Sequence, residues 1–129
     1  MTTLDGRKGV LAHENCKSQW RVGKYGVNLN DIDSIAVPAI VPAGKDETIV
    51  IDEIGRMERF SLLFRDTLIS VLNMPHWILG SIALKGDHFI QQIRERRDVH
   101  LIRISAQNRD MLVERIINYT QLEKHTLIT

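Results

Sequence analysis

Residues 48–61 read TIVIDEIGRMERFS and decide how the fold is interpreted. Residues 48–51 form a continuous apolar run after the turn-prone AGKDE, which is typical of a strand covered on both faces. The run ends in an adjacent pair of acids, Asp52 and Glu53. Ligands of open parallel α/β sheets bind beyond the carboxyl ends of the strands, so the pair stands where such a site is expected.

Two carboxylates at a strand end suit one particular chemistry. In phosphoryl transfer from a nucleotide, an Asp assists Mg²⁺ coordination while a second group orients or activates the attacking water. Asp52 and Glu53 would fill these two roles. The plainer alternative is a strand that meets a polar turn, because charged residues are common at such exits, and this stretch taken alone favours it.

The rest of the chain alternates between helix-like and strand-like patterns. Apolar residues recur at helical spacing after Asn30, the predicted N-cap of a helix that Pro38 shortens or kinks. A stripe of Phe and Leu predicts a helix from about Ser61 to Asn73. We predict strands at residues 10–12, 20–22, 48–51, 77–83 and 99–104, a short helix around 89–93, and a last helix capped by Ser105 that carries Leu112, Val113, Ile116 and Ile117.

Strands that alternate with helices predict an α/β fold, with a mostly parallel sheet and flanking helices. A chain of 129 residues suits one domain, residues 1–129. The final QLEKHTLIT, residues 121–129, has a weak pattern and is predicted to fray.

Composition and charge exclude several functional classes. A net charge of +1 gives no electrostatic reason to expect a nucleic acid or an anionic membrane as partner. The basic RERR at 94–97 is interpreted as a solvated helix end. Cys16 is the only cysteine, no window approaches the roughly 18 apolar residues of a membrane span, and the N-terminus lacks signal-peptide features. A cytoplasmic protein is therefore expected.

A glycine-rich phosphate loop would complete a nucleotide site. The pattern of Gly, four residues, then Gly-Lys-Ser/Thr does not occur, since Gly23-Lys24 is followed by Tyr25 and Gly44-Lys45 by Asp46. Backbone amides and the lysine of that loop supply much of the phosphate affinity. We therefore expect any nucleotide to bind weakly.

Five stretches taken in order resemble one known family. They are TLDGRKGVLAH (3–13), RVGKYGVN (21–28), IAVPAI (35–40), IVIDEIGRMERFS (49–61) and NRD (108–110). They resemble the P-loop nucleoside-triphosphatases of the thermophile and cancer-related type, through nearly the whole chain. The resemblance implies a RecA-like α/β fold, Mg²⁺ as cofactor, and hydrolysis of triphosphates such as ATP or GTP to diphosphates with broad base tolerance.

The resemblance also implies roles for single residues. Asp52 resembles the Walker B carboxylate on the metal side, and Glu53 the residue that activates water. Arg21 and Lys24 match positions that would place positive charge near the triphosphate. The alternative for these two is a solvated loop whose cations help the strands to fold.

Asn108 and Arg109 begin the last helix, where this fold class often meets the nucleobase. The alternative, a capped helix start with surface charges, is favoured for them. The histidines show no metal-ligand spacing, so no metal other than Mg²⁺ is expected.

One departure from the family is large. Its members begin with a strand, the phosphate loop and a helix, a unit of about 30 residues, whereas only Met1 and Thr2 precede TLDG here. The resemblance implies that the absent strand lies beside the Walker B strand, which would leave open sheet edges. The chain would be a fragment, a shortened paralogue that repacks or dimerises, or one half of a site whose loop comes from another polypeptide.

The residues and the resemblance together are compatible with two functions. The first is a nucleoside-triphosphatase domain that is weak or inactive alone. The second is a non-catalytic remnant or interaction module that pairs with itself or with another chain through its open sheet edges.

Overall fold

The computed structural model describes residues 1–122 and 126–128. A small antiparallel sheet comes first in the chain, and a parallel sheet with helices follows. The predicted α/β class, with a parallel sheet and flanking helices, is confirmed. Within the described residues, no helix combines the length and the apolar character needed to cross a bilayer.

The small sheet contains β1 (Ala12–His13), β2 (Arg21–Val22) and β3 (Tyr25–Val27), in the order β1-β3-β2. Gly23 has φ 58°, a conformation that glycine adopts without a steric penalty, and it makes the tight turn between β2 and β3. A Cβ at Gly26 would lie 2.2 Å from the carbonyl oxygen of Cys16, so only glycine fits where the loop crosses β3. The predicted strand at 10–12 is displaced towards His13.

A continuous helical segment follows β3: α1 (Leu29–Asp31), a π-helical turn (Ile32–Ala36) and α2 (Val37–Ile40). The predicted N-cap, Asn30, is wrong. Asn28 caps the segment, because its side-chain oxygen accepts the backbone N–H of Asp31 at 3.2 Å. Pro38 lies in the first turn of α2, where a missing N–H is tolerated, and the segment ends two residues later.

The larger sheet contains β4 (Thr48–Ile54), β5 (Trp77–Ile82), β6 (Val99–Leu101) and β7 (Thr126–Ile128). Its order is β4-β5-β7-β6, and all neighbouring strands are parallel. In the part of the chain that the structure describes, β4 and β6 are therefore the outer strands. The end of β5 agrees with the prediction to one residue, whereas β6 stops three residues early, at Leu101.

The prediction that QLEKHTLIT frays is wrong for residues 126–128, which form β7. This strand lies between β5 and β6 and pairs with both, so its backbone is held from two sides. Pairing across the sheet overrides the weak local pattern. Residues 123–125 and 129 lie outside the described part of the chain.

The helices that follow the strands are α3 (Leu62–Leu72), α4 (His88–Arg94) and α5 (Arg109–Leu122), with a 3₁₀ turn at Glu58–Phe60. The prediction for α3 is confirmed, with Ser61 as N-cap and Asn73 as C-cap. The prediction that Ser105 caps α5 is wrong. The helix begins at Arg109, because the backbone N–H of Ser105 bonds the Asn108 side chain and residues 106–108 form a turn.

The core lies where α3, α4 and the helical segment after β3 meet β4 and β5. The prediction that β4 is covered on both faces is wrong: Ile49 and Ile51 are buried, but Val50 is 47% exposed. Successive side chains of a strand point to opposite faces, and the described elements cover only one face of β4. The most deeply buried side chains are Val27, Ile32, Ile54, Phe64, Leu68, Val71, Ile78, Phe89, Ile90 and Ile93.

Candidate functional site

The carboxyl end of β4 carries an irregularity that sets the direction of its two acids. Ile51 pairs with Gly80 and Ile54 pairs with Ile82, so two residues of β4, Asp52 and Glu53, stand against a single residue of β5. Such a bulge bends the strand and re-aims its side chains, and bulges are common beside functional sites. Both acids are exposed.

Ser81 is the single residue of β5 that faces this bulge. Its hydroxyl donates a hydrogen bond to Oδ1 of Asp52 at 2.5 Å. Sequence reasoning missed Ser81. In a parallel sheet, a further site residue is expected at the carboxyl end of the strand that neighbours the one with the acids.

A sharp turn after β4 holds two more parts of the site. The backbone N–H of Gly55 donates to Oε2 of Glu58 at 3.2 Å. A Cβ at Gly55 would lie 2.8 Å from Oε1 of Glu53 and 3.1 Å from Oε2 of Glu58, so glycine lets both carboxylates approach this turn.

Glu58 is electrostatically unlike an exposed acid. Burial raises the pKa of its carboxyl above the usual 4.5, and the nearby charge of Glu53 adds to the rise. Backbone N–H groups, including that of Gly55, act on the pKa in the opposite direction. Glu58 therefore keeps a proton to higher pH than a carboxyl in water, beside an exposed acid whose candidate role is to accept one.

These acids lie along an open cleft of about 840 Å³. Asp52, Glu53 and Glu58 line it together with two cations, Arg56 and Lys85. Its remaining walls are apolar and come from residues in or beside the small sheet, from the turn after β4, and from the end of β5 and the residues after it: Leu11, Val22, Met57, Ile82, Ala83 and Leu84. The cleft thus combines metal-type oxygen donors with positive charge, which suits a ligand that carries phosphates.

Arg21 lies in β2, and Lys24 lies in the turn that joins β2 to β3. The guanidinium of Arg21 donates to the carbonyl oxygens of Lys24 and Cys16, and the ammonium of Lys24 pairs with Glu14. Among the described residues, Val22 lines the cleft, but Arg21 and Lys24 do not. These contacts fit the solvated-loop alternative, and a role beside the triphosphate stays a prediction.

Asn108 and Arg109 form the start of α5. The side chain of Asn108 accepts the backbone N–H of Ser105 at 2.8 Å and donates to the carbonyl oxygen of Arg103 at 2.9 Å. Arg109 makes an exposed ion pair with Asp110, at 3.4 Å. Both residues thus shape the entry to the helix, and their role in contacting a nucleobase stays a prediction.

The donor set decides which metal the site suits. Within the described residues, no group of three or more His, Cys, Asp or Glu side chains is placed to hold a metal ion. Mg²⁺ usually binds through one or two carboxylates together with substrate phosphates and water, rather than in an all-protein cage. Hard oxygen donors from Asp52, with Glu53 beside it, therefore fit Mg²⁺ bound together with a phosphate ligand.

Comparison with known proteins shows which sequences this chain is similar to. A family model described as NTPase matches residues 1–117. A nucleoside-triphosphatase THEP1 from Thermotoga sp. (strain RQ2) is 34% identical over 123 residues, which cover 95% of this chain and 71% of the relative. A cancer-related nucleoside-triphosphatase homolog from Mus musculus is 34% identical over 135 residues, and the match covers 94% of this chain and 71% of the mouse protein.

A solved structure is similar over most of the chain. The crystal structure of THEP1 from the hyperthermophile Aquifex aeolicus superposes with a TM-score of 0.84 at 30% identity, and covers 92% of this chain and 73% of the other. The family suggested by the five sequence stretches is thereby confirmed. This chain belongs to the NTPase family of nucleoside-triphosphatases.

Proposed function

We propose that residues 1–129 form one Mg²⁺-dependent nucleoside-triphosphatase domain in which Asp52 is the Walker B carboxylate on the metal side and Glu53 activates water. The observation that carries this proposal is the bulge at the end of β4, which presents both acids to a cleft lined by Arg56 and Lys85. Acids at the carboxyl end of a parallel strand, in a chain of this family, suit phosphoryl transfer to water.

The reaction assigns a separate task to each group. Mg²⁺, when bound, supplies positive charge to the phosphate oxygens. Asp52 would hold it, and Glu53 would accept a proton from water while the water oxygen bonds to the γ-phosphorus. The bond from that phosphorus to the bridging oxygen breaks, and its electron pair leaves with the nucleoside diphosphate. The cations that line the cleft would offset the charge of the triphosphate.

The other predicted binding residues enter this proposal as candidates. Arg21 and Lys24 would place positive charge near the triphosphate if the hairpin of β2 and β3 shifts towards the cleft edge formed by Val22. Asn108 and Arg109 would meet the nucleobase from the start of α5.

We further propose that these 129 residues hydrolyse nucleotides weakly or not at all on their own. They contain no Gly-x₄-Gly-Lys-Ser/Thr pattern, so the backbone cradle that usually supplies phosphate affinity is not encoded in them. ATP or GTP with Mg²⁺ would then bind at millimolar concentration or above.

Phosphate release from ATP and GTP with Mg²⁺ tests the proposal, with Glu53→Gln beside the natural chain. Little or no release is expected from either protein. Release that disappears in Glu53→Gln would support the carboxylate roles and contradict the expected weakness. Release that persists in Glu53→Gln would remove Glu53 from the reaction. Calorimetric titration with ATP and Mg²⁺ measures the affinity separately.

The alternative proposal is a non-catalytic module of the same fold that pairs through β4. In the described part of the chain β4 is an outer strand, Val50 on it is half exposed, and a groove of about 640 Å³ runs beside it. Two copies paired antiparallel about Val50 would bring Glu47 of each opposite Glu53 of the other, which is repulsive. A strand from a different polypeptide therefore fits this edge better than a second copy.

Solution mass and an edge variant test this alternative. Light scattering on the purified chain should give the monomer mass, because the acids oppose self-pairing. A dimer that Val50→Lys converts to monomer would show instead that β4 edges pair with each other, since an edge lysine blocks such pairing. A dimer that persists in Val50→Lys would place the interface elsewhere.

We also propose a cytoplasmic location. Cys16 is the only cysteine and is a free, partly buried thiol. A chain that uses no disulfide suits a reducing compartment.

A further inference from the structure

We propose that Ser81 is a positioning residue that holds the carboxylate of Asp52 in the orientation needed to bind a divalent metal ion. This inference rests on the proposed function, because it takes Asp52 as the metal-side carboxylate. It adds a residue from the neighbouring strand that neither the sequence motifs nor the comparisons assign.

The geometry of one hydrogen bond carries the inference. The hydroxyl of Ser81 has a single proton, and it donates that proton to Oδ1 of Asp52 at 2.5 Å. A carboxylate on an exposed strand end otherwise rotates about its side-chain bonds. Holding Oδ1 against β5 restricts the rotation of the group and leaves Oδ2 as the oxygen that would meet a metal ion at the cleft that Asp52 lines.

Two backbone features make this contact possible. Asp52 lies opposite Ser81 because the register that pairs Ile51 with Gly80 continues for one more residue, and Glu53 is the extra residue of the bulge. Before it, Gly80 faces Ile51, and a Cβ at Gly80 would lie 3.0 Å from the Ile51 carbonyl oxygen. Glycine at position 80 therefore allows β5 to approach β4 closely enough for the short side chain of serine to reach the carboxylate.

The expected size of the effect follows from how such partners act. A hydrogen-bond donor that orients a metal-binding carboxylate is worth 10-fold to 100-fold in metal affinity. Ser81→Ala keeps the Cβ and removes only the hydroxyl, so the strand pairing should persist. We expect a dissociation constant roughly 10-fold higher for a divalent ion.

The experiment measures binding of Mn²⁺ by electron paramagnetic resonance in the presence of inorganic phosphate, with Mg²⁺ as competitor. The proteins are the natural chain, Asp52→Asn, Ser81→Ala and Ser81→Thr, and the control is Ser70→Ala, whose hydroxyl bonds the carbonyl oxygen of Asp66 on α3. Asp52→Asn should abolish the site and Ser81→Ala should weaken it. Ser81→Thr, which restores the hydroxyl, should bind like the natural chain. Thermal unfolding of each protein separates a metal effect from a loss of fold.

Each other result contradicts a defined part of the argument. Loss of binding in Asp52→Asn with unchanged binding in Ser81→Ala would overturn the role of Ser81 and leave the proposed metal site standing. Equal weakening in Ser81→Thr and Ser81→Ala would also overturn it, because a hydroxyl would then not be what matters. Unchanged binding in Asp52→Asn, or no competable binding by the natural chain, would overturn the metal site itself and this inference with it.

Discussion

The hydroxyl of Ser61 donates a hydrogen bond to the carboxylate of Asp33, 28 residues earlier in the chain. The same oxygen accepts the backbone N–H of Phe64 at 2.9 Å, and Ser61 is only 2% exposed. One side chain thus caps α3 and ties it to the π-helical turn after β3. The turn that carries Glu58 lies directly between β4 and α3. The hydrogen bond that anchors α3 therefore also helps to hold this turn in position.

Ser61→Ala should destabilise the fold by about 1 to 2 kcal/mol. The substitution removes an N-cap and leaves the carboxylate of Asp33 without this donor. Urea unfolding followed by circular dichroism measures the loss, and Ser70→Ala is the matched control on the same helix, expected within about 0.5 kcal/mol of the natural chain. Equal stability of the two variants would mean that the cap contributes nothing measurable.

Leu68→Ala should cost about 2 to 5 kcal/mol, the range for a leucine deleted from a packed core. Leu68 is 0% exposed on the inner face of α3, whereas Leu62 on the same helix is 70% exposed. Leu62→Ala is therefore the control and should change the free energy of unfolding by less than about 0.5 kcal/mol. Similar losses for both variants would contradict the assignment of the buried face.

Elements defined by local signals were the predictable part of this fold. All the signals that predict α3 lie within a dozen residues: the cap at Ser61 and the apolar stripe of Phe64, Leu68 and Leu72. One short stretch of sequence is therefore enough to predict this helix. The apolar strands next to it were found for the same reason. The sequence also places two acids at the end of β4, where parallel strands present ligand groups, and their role there stays a prediction.

Features that depend on distant partners were not predictable. The strand β7 is stabilised by its pairing with β5 and β6. Its own three residues show little of the sequence pattern that predicts a strand. Ser81 becomes a candidate only when the register places it opposite Asp52, 29 residues away. The exposure of Val50 likewise depends on which elements cover β4. An apolar run in the sequence does not predict that.

Arg96→Ala should destabilise the protein by about 1.5 to 3 kcal/mol, the range for hydrogen bonds to charged groups. The interpretation of RERR as a solvated helix end is wrong for Arg96, whose side chain is 20% exposed. Its guanidinium donates to the Leu72 carbonyl oxygen at 3.2 Å and to the Asn73 side chain at 2.9 Å, at the end of α3.

Arg97→Ala is the matched control for Arg96→Ala, because Arg97 is exposed and adjacent in sequence. It should unfold within about 0.5 kcal/mol of the natural chain in urea. A loss in Arg97→Ala as large as that in Arg96→Ala would point to a general effect of charge in RERR rather than to the contacts with α3.

Glu58→Gln should change how stability depends on pH. Burial raises the pKa of the Glu58 carboxyl, so the folded chain keeps the proton to higher pH than the unfolded chain, which releases it near 4.5. The stability contributed by this group is therefore fully present below pH 4.5 and is lost as pH rises through the raised folded pKa.

Glutamine stays neutral and keeps an oxygen that can accept the N–H of Gly55, as Glu58 does at 3.2 Å. Relative to the natural chain, Glu58→Gln should therefore gain stability as pH rises above 4.5, until the Glu58 carboxyl of the folded chain has lost its proton. Urea unfolding across this range measures the difference, with Glu114→Gln, at an exposed position of α5, as control. Parallel stability curves for the natural chain and Glu58→Gln would show that the buried carboxyl does not hold its proton. A gain of similar size in Glu114→Gln would assign the effect to net charge, because the Glu114 side chain is exposed.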